Sequence, residues 1–92
     1  MSAFVVVEST VKDHEAMERY VKAAGPIIKS FGGEFLARGP WEVLSGDAYL
    51  TTGGLVQFPD KERALAWYNS AEYQAILTDR DRAMTARFRI LA

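Results

Sequence analysis

Arg38 is the first of a few side chains in this sequence whose chemistry suits the binding of a small molecule. It precedes Gly39 and Pro40 at the end of a short apolar segment, so its guanidinium could reach over the rim of a sheet. A guanidinium in that place is suited to clamp a carboxylate through two hydrogen bonds. The alternative is an ion pair with a structural partner such as Glu8 or Glu42. The sequence leaves both interpretations open.

His14 is the only histidine, so any imidazole base must be this residue. We expect it in the first turn of a helix, where the helix dipole disfavours the imidazolium form. A solvent-exposed residue without a chemical role is the simpler interpretation. One histidine, no cysteine and no paired carboxylates leave too few ligands for a metal ion. We therefore expect no metal site, and no sequence motif predicts a cofactor.

Four aromatic side chains with polar atoms are the remaining binding candidates. Tyr20 lies on the apolar stripe of one expected helix, and Trp67, Tyr68 and Tyr73 cluster around an interruption in another. Their polar atoms could line a cavity between the helices and a sheet, where a small ligand would bind. Such aromatic residues also form ordinary cores with satisfied hydroxyl groups. Arg80 lies two helical turns after Tyr73, where it could offer a cation beside the hydroxyl or simply cover the ring.

Length and composition restrict the class of protein. The 92 residues suit a single domain over residues 1–92, with 49% hydrophobic and 25% charged residues. A net charge of −1 gives no general attraction to nucleic acid or to anionic lipid, and the lack of cysteine excludes disulfides. The early apolar run, Ala3–Val7, is too short to span a bilayer. We expect a cytoplasmic protein that binds neither nucleic acid nor a membrane.

The elements that must position these side chains begin with a strand over Ala3–Val7 and a short connection over residues 9–12. Asp13 then caps a long amphipathic helix. Pro26 falls inside the helical pattern, and we expect a kink or a break there because proline lacks the amide hydrogen. Gly32 follows the last apolar position and is expected to adopt the left-handed conformation that ends the helix.

Strand patterns follow in the middle of the chain. The second strand covers Glu34–Arg38, and Trp41–Tyr49 predicts a hairpin excursion. The third strand lies within Tyr49–Phe58, with a bulge or an irregular start of the strand expected at the pair Gly53-Gly54. No linker or internal repeat separates these segments.

The last third of the chain predicts a helix in two pieces and a final strand. Asp60 and Ser70 stand where N-caps are wanted, and Ala86–Leu91 alternates charged and apolar residues as a strand does. The element order is then strand, helix, strand, strand, helix, strand. Two right-handed crossovers convert this order into an α+β ferredoxin-like fold, βαββαβ, with a four-stranded antiparallel sheet and its helices on one face.

The uncovered face of such a sheet predicts a homodimer. Residues Phe4–Val7 are apolar without interruption, so both faces of the first strand are apolar. Burying one such side chain stabilises by about 1.5–3 kcal/mol, and helices can cover only one face. A second copy packed sheet to sheet would cover the other face.

Three segments, in order and spacing, resemble a known family. They are Gly32–Gly39, Val56–Asp60, and Trp67–Gln74 with Ala64 ahead of it. Together they resemble the domain-of-unknown-function 1330 family over nearly the whole chain. The resemblance implies a dimeric α+β barrel, the architecture of small monooxygenases and of proteins similar to muconolactone isomerase and chlorite dismutase. It implies no activity.

The chain departs from the family pattern around the expected hairpin. Ser45-Gly46 stands where relatives commonly show Glu-Gly, and the run Thr51–Gly54 replaces a charged residue. If that carboxylate belongs to a site in the relatives, the site is altered here.

Three functions remain open at this point. The first is a dimer that binds a small acidic or aromatic molecule near Arg38 and the tyrosines. The second is a cofactor-independent oxygenase or isomerase, by analogy with other proteins of the implied fold. The third is a structural or protein-interaction module. A cavity with convergent polar groups would favour the first two over the third, and binding is our leading prediction.

Overall fold

The computed structural model describes all 92 residues and has eight regular elements. They are β1 (Ala3–Val11), α1 (His14–Ser30), β2 (Glu34–Pro40), β3 (Thr52–Phe58), α2 (Lys61–Asn69), α3 (Ala71–Gln74), α4 (Leu77–Ala83) and β4 (Met84–Leu91). The four strands form one sheet in the order β2-β3-β1-β4, and every neighbouring pair is antiparallel. The predicted ferredoxin-like α+β fold is confirmed.

Helices α1, α2 and α3 begin at the residues that the sequence predicts. The second predicted piece of the last helix is itself divided, since α4 begins separately at Leu77 without a side-chain cap. The side chain of Asp13 accepts a hydrogen bond from the backbone N–H of Ala16, and that of Asp60 accepts one from Arg63. Ser70 caps α3 through the N–H of Tyr73. Each cap satisfies an amide that the first turn of a helix leaves without a partner. No helix is both long and apolar enough to cross a membrane.

Several element boundaries differ from the predictions because tertiary pairing overrides local signals. Strand β1 continues to Val11, since Thr10 and Val11 pair with the start of β4. Helix α1 runs through Pro26 without a break. The predicted end of α1 is correct, because Gly32 has a φ of 82°, in the left-handed region that favours glycine.

The predicted bulge and hairpin are both wrong. Gly53 and Gly54 pair regularly with β1, and the irregularity lies in β2, between Phe35 and Ala37. Residues 41–51 form a loop without a strand. A side chain at Gly53 would meet the ring of Trp41, so glycine is needed there for close packing and not for a bulge.

One face of the sheet carries the core, and no helix covers the other, where Trp41 of the loop packs over Gly53. The largest fully buried side chains are Trp67, Tyr73, Phe58, Val5 and Val56, and they form one cluster with buried residues of all the helices. The neighbours of Val5 along β1 point to the opposite face and are partly exposed. The first strand is therefore apolar on a face that no helix covers.

Gly33 provides a test of packing at the junction of α1 and β2. A Cβ at Gly33 would lie 2.6 Å from Cγ2 of Ile28 and 2.7 Å from Cε1 of Phe58, both in the core. A densely packed core accommodates an added methyl group only with strain. Gly33→Ala should therefore lower the free energy of unfolding by about 1–3 kcal/mol. Urea denaturation at a fixed protein concentration measures the change. At Gly39 a Cβ meets no atom within 4 Å, so Gly39→Ala is the matched control. Equal stability of the two variants would contradict this packing.

The hydrogen bond that the Asp13 side chain accepts at the start of α1 predicts that the stability of the protein depends on pH. The hydrogen bond from the N–H of Ala16 lowers the pKa of Asp13 below its ordinary value of 3.8. A lowered folded-state pKa stabilises the native protein above the ordinary pKa, and this stabilisation is lost as the pH falls through the folded-state value. Asp13→Asn keeps an acceptor that does not titrate. We therefore expect the variant to lose less thermal stability than the wild type between about pH 6 and about pH 3.

Asp13→Ala is the control for this titration, since it lacks the cap at every pH. Thermal melts of the three proteins across the pH range give the comparison. Parallel acid loss in the wild type and in Asp13→Asn would show that the Asp13 carboxylate does not carry the effect.

Candidate functional site

A cavity of about 460 Å³ lies between α1 and the helix-covered face of the sheet. Its floor includes Val7, Gly54 and Val56, and its roof includes Met17 and Ala24 of α1. The lining is mainly hydrophobic, and the volume is within the range of about 300–1,000 Å³ that is usual for ligand sites. The predicted space between helices and sheet therefore exists.

Gly54 keeps the floor of this cavity open. It pairs with Val7 of β1 on one side and with Arg38 of β2 on the other. A Cβ at Gly54 would meet only Cβ of Val7, at 3.8 Å, and would otherwise enter empty space. Gly53 and Gly54 of β3 thus have different roles. Gly53 leaves room for the ring of Trp41, and Gly54 keeps the floor of the cavity open. The sequence marks a strand glycine, but it does not reveal on which face the free volume lies.

Arg38 lines the cavity from the exposed strand β2. Its guanidinium makes no ion pair and no hydrogen bond with the protein. Glu8, one of its two predicted structural partners, pairs with Arg89 instead. The alternative interpretation of Arg38 as one half of a structural ion pair is therefore wrong for this chain. A guanidinium without a partner stands at the side of a largely apolar cavity.

His14 lines the same cavity at the start of α1 and is exposed, as predicted. The start of this helix is held in place because the amides of Lys12 and Asp13 donate to the carbonyl of Ala83, at 2.7 and 3.2 Å. His14 is therefore attached to a fixed backbone although its ring faces solvent. Its position allows contact with a ligand, and it has no acidic partner that would make it a strong base.

Trp67 and Tyr20 line the inner wall of the cavity. Trp67 is only 1% exposed, and its indole Nε1 has no acceptor in the protein. The hydroxyl of Tyr20 is 2.6 Å from that of Tyr73 in a buried hydrogen bond. Burial raises the pKa of Tyr20 well above its usual range and raises that of Tyr73 as well, so both phenols are neutral at ordinary pH.

Tyr73 and Tyr68 stand behind that wall and do not line the cavity. Nη1 of Arg80 lies 2.9 Å from the hydroxyl of Tyr68 and 3.5 Å from that of Tyr73. The same guanidinium lies 4.8 Å from the ring centroid of Phe88, which does line the cavity. Burial acts to lower the pKa of Arg80, but the hydrogen bonds to the two phenols hold it above its ordinary value. The pairing of Tyr73 with Arg80 is thus present, and the same guanidinium also contacts Tyr68.

The six predicted binding residues therefore divide into two layers. Four of them line the cavity, namely His14, Tyr20, Arg38 and Trp67, while Tyr68 and Tyr73 support the wall from behind. No group of three or more histidine, cysteine or acidic side chains is placed to hold a metal ion. The arrangement can bind a molecule through apolar contact and one free cation.

Comparison with solved structures gives the same fold. A protein of unknown function from Rhodopseudomonas palustris, RPA0582, has a TM-score of 0.80 at 17% identity and matches 98% of this chain and 80% of its own. SnoaB, a cofactor-independent oxygenase from Streptomyces nogalater, has a TM-score of 0.71 at 11% identity, over 99% of this chain and 91% of its own.

A dimeric ferredoxin-like protein of unknown function from a Jannaschia species has a TM-score of 0.66 at 17% identity, over 100% of this chain and 99% of its own. Identities this low establish likeness of fold alone. None of the curated proteins compared with the chain matches its sequence. The family model described as Domain of unknown function (DUF1330) matches residues 2–92, and the chain therefore belongs to that family.

Proposed function

We propose that this protein binds a small, mainly apolar or aromatic molecule with an acidic group in the cavity under α1. The observation that carries the proposal is the free guanidinium of Arg38 at an apolar cavity. A carboxylate that reached it would gain a charge-assisted, bidentate hydrogen bond. The rest of the molecule would gain the favourable free energy of leaving water for apolar surface.

The convergence of polar groups on this cavity supports binding over a purely structural or protein-interaction role. Interaction modules need an exposed surface, whereas this cavity is walled by the buried residues Trp67 and Tyr20, with Arg38 and His14 at its exposed side. The oxygenase or isomerase alternative is supported by the likeness to SnoaB, which is a likeness of fold. His14 is the one imidazole among the lining side chains, and it is exposed. We therefore rank binding ahead of catalysis.

We also propose that two copies pack their uncovered sheet faces together. Phe4 and Val6 of β1 lie on that face with Leu55 of β3 and Leu91 of β4, which is 66% exposed. Apolar side chains at the centre of an uncovered sheet favour burial against a second sheet. The dimeric state of the Jannaschia protein supports the same assembly.

Naphthoate is a suitable first probe, because it combines a carboxylate with a flat apolar body. We expect it to bind the wild-type protein and to bind more tightly than naphthylmethanol, its neutral analogue. Because a hydrogen bond to a charged group contributes about 1.5–3 kcal/mol, Arg38→Ala should weaken naphthoate binding by about 10- to 100-fold. Isothermal titration calorimetry measures both affinities. Arg63→Ala, which removes an exposed guanidinium on α2 away from the cavity, is the matched control.

Gly54→Val locates the binding site independently of charge. The new side chain enters the floor of the cavity, while valine favours the strand more than glycine does. We expect the thermal stability to be kept and naphthoate binding to fall at least about tenfold. Gly39→Val adds the same side chain where a Cβ meets no atom within 4 Å. Binding that survives Gly54→Val, or that survives Arg38→Ala undiminished, would place the ligand elsewhere and overturn the proposal.

The proposed dimer is tested by a lysine at the centre of the uncovered face. The wild type should have a mass in solution of about twice the 10.3 kDa of one chain, and Val6→Lys should have the mass of one chain, because a buried lysine pair repels and loses its hydration. Light scattering after gel filtration gives both masses. Thr78→Lys adds the same charge at an exposed position of α4 and should remain a dimer. A wild-type mass of one chain at micromolar concentration would contradict the assembly.

A further inference from the structure

The edge strand β2 contains one residue more than its pairing with β3 requires. Phe35 pairs with Val56 of β3, and Ala37 pairs with Leu55, the adjacent residue of β3. Leu36 between them has no partner, which is the arrangement of a β-bulge. The residues of β2 after this point are therefore displaced by one position relative to β3.

The bulge determines the face of the sheet on which Arg38 lies. Side chains alternate between the two faces of a regular strand, so without the bulge Phe35 and Ala37 would share a face and Arg38 would lie on the other. With the extra residue, Arg38 instead pairs with Gly54 of the cavity floor. Ala37 lies opposite Leu55, on the uncovered face. Phe35 and Arg38 accordingly both line the cavity, although they are three residues apart.

Phe35 brings an aromatic ring to the exposed side of the cavity, where its side chain is 47% exposed. Covering this ring with another aromatic ring would remove apolar area from water and add a stacking contact. Phe35 and Arg38 pair with residues that are two apart in β3, so they stand about 7 Å apart along the edge of the sheet. A carboxylate bound by Arg38 therefore brings a ring that is closely attached to it within reach of Phe35.

We propose that the bulge at Leu36 makes Phe35 and Arg38 a clamp, in which Arg38 holds the carboxylate of the ligand and Phe35 stacks on its ring. The ligand class is then an aromatic acid whose carboxylate is attached to the ring directly or through one carbon. This inference rests on the proposed function, because it requires an acidic ligand in the cavity under α1. Leu36 does not touch the ligand and is a positioning residue, which acts through the backbone.

The double variant Ala37→Arg/Arg38→Ala tests whether the bulge positions the cation. It keeps the composition and the net charge, and it moves the guanidinium by one residue to the uncovered face. We expect it to bind naphthoate about 10- to 100-fold more weakly than the wild type, as Arg38→Ala does. Binding at the wild-type affinity would show that the guanidinium reaches the ligand from either position and would overturn the proposal.

Deletion of Leu36 should have opposite effects in two backgrounds. Residues 41–51 after β2 form a long loop that can absorb the lost residue, whereas Gly33 before β2 is packed against the core. In the wild type the deletion turns Arg38 to the uncovered face and should weaken naphthoate binding. In the double variant it places the introduced arginine opposite Gly54, and the affinity should rise by at least about fivefold.

The same direction of change in both backgrounds would contradict the proposed register. Circular dichroism establishes that the two deletion variants are folded. Should either of them not fold, the double variant with Leu36 present and the substitutions at Phe35 decide the proposal without it.

Phe35→Leu removes the ring and keeps an apolar side chain at the same place. We expect it to weaken naphthoate binding about three- to tenfold, whereas Phe35→Tyr should keep the affinity within about twofold. Naphthylbutanoate, whose ring lies farther from its carboxylate, should still need Arg38 and be insensitive to Phe35→Leu. Leu65→Ala, at an exposed leucine of α2 outside the cavity, is the control and should bind as the wild type does.

Isothermal titration calorimetry gives all these affinities and separates the two proposals. If Arg38→Ala weakens naphthoate binding while Phe35→Leu and the double variant bind as the wild type does, the clamp is wrong and the proposed function stands. If naphthoate does not bind the wild-type protein, the proposed function fails and the clamp fails with it.

Discussion

The structure depends on one constraint, which is that the central strand β1 is apolar on both faces although helices cover only one. Strand β1 pairs with β3 and with β4 along most of its length, so its position determines the register of the whole sheet. On the covered face, Ala3 is 0% exposed and Val5 is 1% exposed, and both form part of the core. On the other face the apolar side chains reach the surface. Both the fold of one chain and the proposed pairing of two chains follow from this strand.

The cavity beneath α1 reaches the edge of the sheet. Helix α1 packs mainly against α4. The cavity below it is lined by residues of β1, β3 and the edge strand β2, and nearly all residues of β2 are exposed. The space on the β2 side therefore lies at the exposed edge of the sheet. Gly54 enlarges that space at the point where a strand residue would normally fill it.

Local signals in the sequence predict the element order, and they fail where distant residues decide. The caps at Asp13, Asp60 and Ser70 are correct because an N-cap bonds to an amide only three residues ahead. No glycine marks the bulge between Phe35 and Ala37, so local sequence does not predict it. The glycine pair of β3 does not form a bulge, because Gly53 instead leaves room for the ring of Trp41, a contact that local sequence does not show.

At the candidate site too, the sequence predicts which residue types are present but not which contacts they make. The sequence identifies which side chains can donate, and its six predicted residues all lie in the wall of the cavity or directly behind it. It cannot show that the partner of Glu8 is Arg89, which leaves Arg38 free. Nor can it show that Arg80, with a side chain only 14% exposed, stands behind the phenols. Both facts depend on long-range packing.

The guanidinium groups of Arg38 and Arg80 make the surroundings of the cavity more positive than the net charge of the chain indicates. The chain carries a net charge of −1, which by itself would repel an acidic ligand weakly. Yet Arg38 lines the cavity at its exposed side, and Arg80, with a side chain only 14% exposed, lies behind the wall beside the hydroxyls of Tyr68 and Tyr73. Fixed charges and aligned dipoles act more strongly in a poorly hydrated interior than at the surface, because water screens them less. The cavity therefore has one cation at its exposed side and a second, less screened one behind its wall, although the protein as a whole is slightly acidic.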